Sequence, residues 1–261
     1  MKKTLLVFIL MFFAQDIFAI TMGDAINIAG RQRMLSQRIT QYFILSGIQP
    51  DQARYKEQLQ RCTLEFQENL DTLESLSEAD AIKTDLFAVR NLWREFKLIA
   101  EGEISKEAAA LLYQKSDDLL QAAHHYVGNL EKISGQSGAE IVNLSGRQRM
   151  LSQRIAKNYL AYYWGVSEQG LENLQADLNE YELTLKYLKN NRFNSDEITR
   201  KIKKTEGHLE YATRGFEGDM HLKGERLVFV ITGTTDIMLK NMDEITKLYA
   251  NLLDQQTLAQ R

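Results

Sequence analysis

Arginines dominate the chemistry this sequence could perform. Residues 30–39 read GRQRMLSQRI, and residues 146–155 read GRQRMLSQRI again. The first copy carries Arg31, Arg33 and Arg38; the second carries Arg147, Arg149 and Arg154 at matching places. A guanidinium stays charged and presents a planar fork of N–H donors, a shape that matches carboxylates and other planar oxyanions. The chemistry these residues suggest is therefore the holding of a small anion. Sets for other chemistry are missing from the sequence. His124 and His125 are adjacent and so point to different helix faces, while His208 and His221 stand alone. No His, Cys and carboxylate set has metal-ligand spacing, so no metal and no cofactor are expected. No nucleophile elbow, phosphate-binding loop or dinucleotide fingerprint occurs, and pairs such as Asp117-Asp118 suit a solvated helix face. The protein reads as non-enzymatic.

A helix must position these arginines. On a helix turning about 100° per residue, Ile28, Leu35, Ile39 and Tyr42 share one face, the core face of a bundle helix. Gly30, Arg33 and Gln37 fall near the opposite face, beside Ile26 and Met34. A glycine inside a helix costs about 1 kcal/mol against alanine, and it makes sense where a second helix approaches closely. The motif helix is thus expected to be packed on both sides, once in its own bundle and once against another copy. That copy is either the second motif of the same chain or a second chain in a homodimer. Arg33 and Arg149 then meet near the contact. Two like charges there repel, and an anion between them would offset the cost of burying them. Asn27, Arg31 and Arg38, with counterparts Asn143, Arg147 and Arg154, lie on a flank and either hold carboxylates or face water. Gln37 and Gln153 complete the candidate set. A competing reading is that Gly, Met and Gln retain their identity only to specify helix packing.

Ten identical consecutive residues, 116 positions apart, mark a duplication. The match extends upstream through Asn27 and Asn143, Ile28 and Leu144, Ala29 and Ser145. Later traces are Ser116-Asp117-Asp118-Leu119-Leu120 in the first copy and Thr234-Thr235-Asp236-Ile237-Met238-Leu239, then Asp243-Glu244-Ile245, in the second. With one proline and 15 glycines in 261 residues, the chain favours helices over a turn-rich β fold. Apolar periodicity predicts helices near 23–47, 51–76, 79–101 and 105–134, then 138–165, 168–190, 195–217 and 222–258. Gln58, Leu59, Cys62, Phe66, Leu70, Leu73 and Leu76 form one buried stripe; Leu171, Leu174, Leu178, Tyr181, Leu185 and Leu188 form its equivalent. Tyr159, Tyr162, Tyr163 and Trp164 read as packing at a helix end. The expected fold is all-α: two tandem antiparallel four-helix-bundle modules, 20–135 and 136–261, behind a signal peptide at 1–19.

The leader rests on Lys2 and Lys3, the apolar run Leu5 to Ala14, and a cleavage site after Ala19. That run is shorter than the roughly 20 apolar residues a spanning helix needs, so the mature chain is expected to lack a transmembrane helix and to be periplasmic. The net charge of −3 and a pI near 5.9 exclude a general polyanion binder, so no nucleic-acid partner is expected. Cys62 reads as a small buried hydrophobe.

The string Asn-x-Ala/Ser-Gly-Arg-Gln-Arg-Met-Leu-Ser-Gln-Arg resembles the opening helix of the PilJ-type sensor module, found in the periplasmic part of type IV pilus chemotaxis transducers. It is also similar to the P-box of the NarX and NarQ nitrate sensors. The resemblance implies a helical bundle for each copy. In the nitrate sensors a P-box arginine binds nitrate or nitrite at a symmetric contact between first helices, and the matching positions here are Arg33 and Arg149. Arg31-Gln32 and Leu35 fit the pilus-transducer version better, and ligands of that version are less clear. The relatives are membrane receptors with signalling domains. A chain ending at Arg261 without kinase or methyl-accepting region is expected to bind a ligand, or to present a signal to a membrane receptor or signalling protein. The alternative is an envelope interaction protein whose motif helices make only a protein contact.

Overall fold

The computed structural model describes residues 21–75, 80–135, 138–217 and 223–259. The expected leader, His221 and the expected boundary at 135/136, where 136–137 are not described, lie wholly or partly outside this set. Eight helices follow in order: α1 (Met22–Ile48), α2 (Ala53–Glu74), α3 (Asp80–Ala100), α4 (Lys106–Ser134), α5 (Ala139–Tyr163), α6 (Gly170–Lys189), α7 (Asp196–Phe216) and α8 (Glu225–Ala259). The all-α expectation holds, with every helix within a few residues of its predicted range. None of the described helices is long and apolar enough to cross a membrane.

Local chemistry starts and stops several of these helices. Thr21, Ser105 and Ser195 each accept from the backbone N–H three residues on, satisfying a donor that the helix itself leaves free. Gly135 ends α4 at φ 59°, a left-handed conformation that glycine adopts without steric cost.

The packing follows the duplication. α1 lies against α2 and α4, with α3 on α4; α5 lies against α6 and α8, with α7 on α8. The two motif helices α1 and α5 also pack on each other along their length, so the halves sit side by side across one seam. The contact expected between two copies is thus made within a single chain. The α2 stripe is buried as expected from Leu59 through Cys62, Phe66, Leu70 and Leu73, with Trp93 stacked on Phe66 at 3.9 Å between ring centroids. Its equivalent on α6 is buried from Leu174 to Leu188, but Leu171 is exposed. It sits in the first turn of α6, at the rim of a cavity lined by Tyr159, Phe216 and Leu227 that leaves it open to solvent. Tyr159 is buried and meets Phe216 edge-on, whereas Tyr162 and Tyr163 are exposed. Trp164 crosses the seam to cover the end of α1, where a Cβ on Gly47 would lie 2.1 Å from its ring. Any residue larger than glycine there forces the indole away.

Candidate functional site

The seam differs from an ordinary bundle core in carrying charge. Bundle cores are mostly Leu, Ile, Val and Phe, and arginine is almost never fully buried unless paired. Arg33 and Arg149 are nevertheless 1% and 0% exposed. Ser36, Gln37, Gln32 and Thr40 of α1 are buried with them, as are Ser152, Gln153 and Gln148 of α5.

Gly30 and Gly146 make this possible. A Cβ on Gly30 would stand 3.1 Å from Nη2 of Arg149 and 3.3 Å from Nη2 of Arg33; one on Gly146 would stand 3.2 Å from both. The two guanidiniums therefore share the space that the two missing methyl groups leave. Each reaches across the seam to the other helix. Arg33 donates from Nη2 to the carbonyl of Asn143 at 3.2 Å, and Arg149 donates from Nη2 to the carbonyl of Asn27 at 3.0 Å. The glutamines below follow the same pseudo-two-fold rule. Gln37 donates to the Ser116 carbonyl on α4 at 3.0 Å, and Gln153 donates to the Thr235 carbonyl on α8 at 3.3 Å.

That pairing of Ser116 with Thr235 sets the register between α4 and α8, and it exposes a break in the symmetry. Nη1 of Arg149 donates to the Asp243 carboxylate at 2.9 Å and to Oδ1 of Asn27 at 2.8 Å. The place of Asp243 on α4 is held by His124, and Nη1 of Arg33 donates to its Nδ1 at 3.2 Å. An arginine has no acceptor to offer, so Nδ1 carries the lone pair and the ring is neutral. Asn143 does not turn to Arg33 as Asn27 turns to Arg149; its amide donates to Glu131 instead. Arg149 therefore has a carboxylate partner, and Arg33 has two neutral ones.

The electrostatics reflect this. Burial, then the facing Arg149 and Arg147, push the Arg33 guanidinium down to about 9, where it remains charged at neutral pH. Burial also lowers Arg149, to about 10, although Asp243 opposes the shift. His124 is pushed down to about 4 by burial and by Arg33 and Arg147. Nε of each buried arginine has no hydrogen-bond partner.

The flanking arginines hold carboxylates. Arg31 reaches Glu65 at 2.9 Å and Asp243 at 3.0 Å, and Arg147 pairs with Glu180. Arg38 pairs with Asp236 at 2.8 Å and donates to Gln153, while Arg154 pairs with Asp177. The structure thus brings Asn27, Gly30, Arg33 and Gln37 together with Asn143, Gly146, Arg149 and Gln153, and sets Arg31 and Arg147 at the flanks. Sequence reasoning missed His124 and Asp243. The signal was present: matching Ser116-Asp117 to Thr235-Asp236 places His124 opposite Asp243.

Other places offer less. Lys157 of α5 is buried, bonded to Asp117 at 2.9 Å and Ser116 at 3.0 Å, and its charge is matched there. Burial raises the Cys62 thiol to about 11, which keeps it protonated and unreactive. A cavity of about 830 Å³ opens between the end of α1, α2 and the α3–α4 turn, and it does not touch either buried arginine. Among the described residues no group of His, Cys, Asp and Glu could hold a metal.

The chain is similar to one protein family, the Type IV pili methyl-accepting chemotaxis transducer N-term family, PilJ. Its match covers residues 21–125 and 134–210. Each matched stretch opens near one motif helix, in keeping with tandem copies. The chain belongs to the PilJ family, which assigns it a sensor and signalling role. Comparisons with curated proteins and with solved structures find no match.

Proposed function

We propose that this protein is a non-enzymatic periplasmic sensor module that binds a small planar oxyanion, of the nitrate or nitrite kind, at the seam between α1 and α5. Arg33 and Arg149 are the binding residues, Gly30 and Gly146 leave the room, the carbonyls of Asn27 and Asn143 fix the arginines across the seam, and Gln37 and Gln153 tie α1 to α4 and α5 to α8. The observation that carries this reading is Arg33: a fully buried guanidinium, facing a second one, with no carboxylate in contact among the described residues. Burying a charge costs several kcal/mol unless it is compensated, and such a residue is rarely tolerated without a purpose. A planar anion would supply the missing charge and suits the fork geometry. The bound anion would bias how α1 and α5 pack, and a membrane receptor or signalling partner would read that change. The two modules, 20–135 and 136–261, are the units of this arrangement.

A thermal-shift series with nitrate, nitrite and other small anions tests it. A ligand that binds only the folded chain adds about 2.7 kcal/mol of apparent stability at a hundredfold excess over its dissociation constant. An oxyanion is expected to raise the melting temperature of the wild type, and Arg33→Ala is expected to abolish the rise. Gly30→Ala is expected to weaken binding, because its methyl group, 3.1 and 3.3 Å from the two Nη2 atoms, pushes both guanidiniums from their places. If no oxyanion shifts the wild type, the seam is a packing device and the protein an interaction component of the envelope.

A further inference from the structure

Among the buried groups at the seam, the two arginine half-sites should be alike if the duplication had kept them so, and they are not. On one side Arg31 and Arg149 converge on Asp243, which Lys247 also reaches at 3.0 Å. On the other side Arg33 bonds His124, and Arg147, itself paired with Glu180, is near enough to act on the ring's charge. The protein has thus set a carboxylate in contact with the buried arginine of one half, whereas in the other half Glu131 acts on Arg33 only from a distance.

We infer that the duplicated site is single in function: one oxyanion binds at the Arg33 half beside His124, which stands where Asp243 stands in the other half and leaves the arginine's charge unmatched there. The inference rests on the oxyanion reading above and deepens it. His124 is partly exposed on α4, so an anion has a way in beside it, whereas Arg33 and Arg149 are closed off from solvent. A carboxylate in the Arg149 half bonds one Nη of the buried arginine and one Nη of the flanking Arg31. An oxyanion of similar size in the other half would meet Arg33 and Arg147 in the same manner, with the imidazole beside it. Its charge would replace the carboxylate that His124 does not provide.

The same arrangement ties binding to a proton. The groups facing His124 are Arg33 on α1, Arg147 on α5, Glu180 on α6 and His125 on its own helix. Burial, then the two arginines, hold the ring neutral. An anion between them offsets their charge and lets the ring take up a proton. Binding therefore tightens as pH falls.

The test is a calorimetric titration of the full chain with sodium nitrate. The wild type is expected to bind one nitrate per chain, with affinity at least threefold higher at pH 5 than at pH 7. His124→Asp, which places a carboxylate opposite Arg33, is expected to weaken binding at least tenfold without lowering the melting temperature. His124→Gln, a neutral acceptor, is expected to bind within threefold of the wild type at pH 7 and to lose the pH dependence. Two equal sites per chain, or a His124→Asp variant that binds as well as the wild type, overturns the half-site assignment and leaves the oxyanion reading standing. A wild-type profile that is flat with pH overturns the part given to His124. No binding of nitrate or any other oxyanion by the wild type overturns that reading, and this inference with it.

Discussion

Asp243→Asn is expected to be the most damaging single polar substitution at the seam, lowering the melting temperature by roughly 10 °C at neutral pH. The reason is Arg149. Its side chain is fully buried, and Asp243 is its only carboxylate contact among the described residues, at 2.9 Å. Removing one partner of a buried ion pair typically costs about 3–5 kcal/mol, because the charge left behind keeps its desolvation penalty. In a chain of this size each kcal/mol moves the melting temperature by roughly 2–4 °C. Arg31 suffers less, since it keeps Glu65. The effect has a pH signature. Arg149, Arg31 and Lys247 hold the Asp243 carboxyl well below the usual carboxylate range, against the opposing effect of burial. A depressed folded-state value means the stabilisation is complete above the unfolded value of about 4 and drains away as pH falls further. The gap between wild type and Asp243→Asn in melting temperature is therefore expected to be constant from pH 8 to about pH 5 and to shrink below pH 4. A gap that persists unchanged into strong acid would place the effect elsewhere than in this carboxylate.

Arg33→Met is expected to act in the opposite direction, raising the melting temperature by several degrees while abolishing oxyanion binding. Arg33 contributes a buried charge with neutral partners only. Replacing buried charges by apolar residues of similar volume is often neutral or stabilising by about 1–4 kcal/mol. Little is orphaned by the change. The Asn143 carbonyl lies inside α5, where the helix supplies its own donor, and His124 is near enough to the surface to turn to water. Methionine fills the long narrow space and adapts to it. The same exchange at Arg149 is expected to be destabilising, because it breaks a buried ion pair and leaves Asp243 to the more exposed Arg31 and Lys247. Opposite signs at two positions with identical sequence surroundings separate a functional charge from a structural one. Denaturant unfolding of both variants without ligand checks this; a loss of stability at Arg33 equal to that at Arg149 would show that the halves are equivalent.

Much of this architecture was legible in the residues. The mid-helix Gly30 beside Arg33 on a face that already carried Ile26 and Met34 implied a helix packed on both sides, and α1 is buried on both. The repeat located the second such helix. Leu171 misled because an apolar residue at a helical spacing can still fall in the exposed first turn. Two things were hidden for physical reasons. Identical motifs look the same whether they meet within one chain or between two, so the side-by-side seam needed coordinates. The partners of the buried arginines lie on α4 and α8, whose sequences have drifted and whose spacing differs from that of the motif helices by three residues. The hydrogen bonds from Gln37 to Ser116 and from Gln153 to Thr235 fix the alignment that the Ser116-Asp117 and Thr235-Asp236 traces only suggest, and it sets His124 against Asp243. Cys62 is buried as its place in the α2 stripe implied, and burial keeps its thiol protonated.

The most direct measurement is a crystal structure of the full chain grown with nitrate. The account predicts planar density beside His124, within hydrogen-bond distance of a terminal nitrogen of Arg33, with the Arg149 and Asp243 pair unchanged. Nitrate found elsewhere on the molecule, or an Arg33 that contacts only Asn143 and His124 at saturating nitrate, would contradict it.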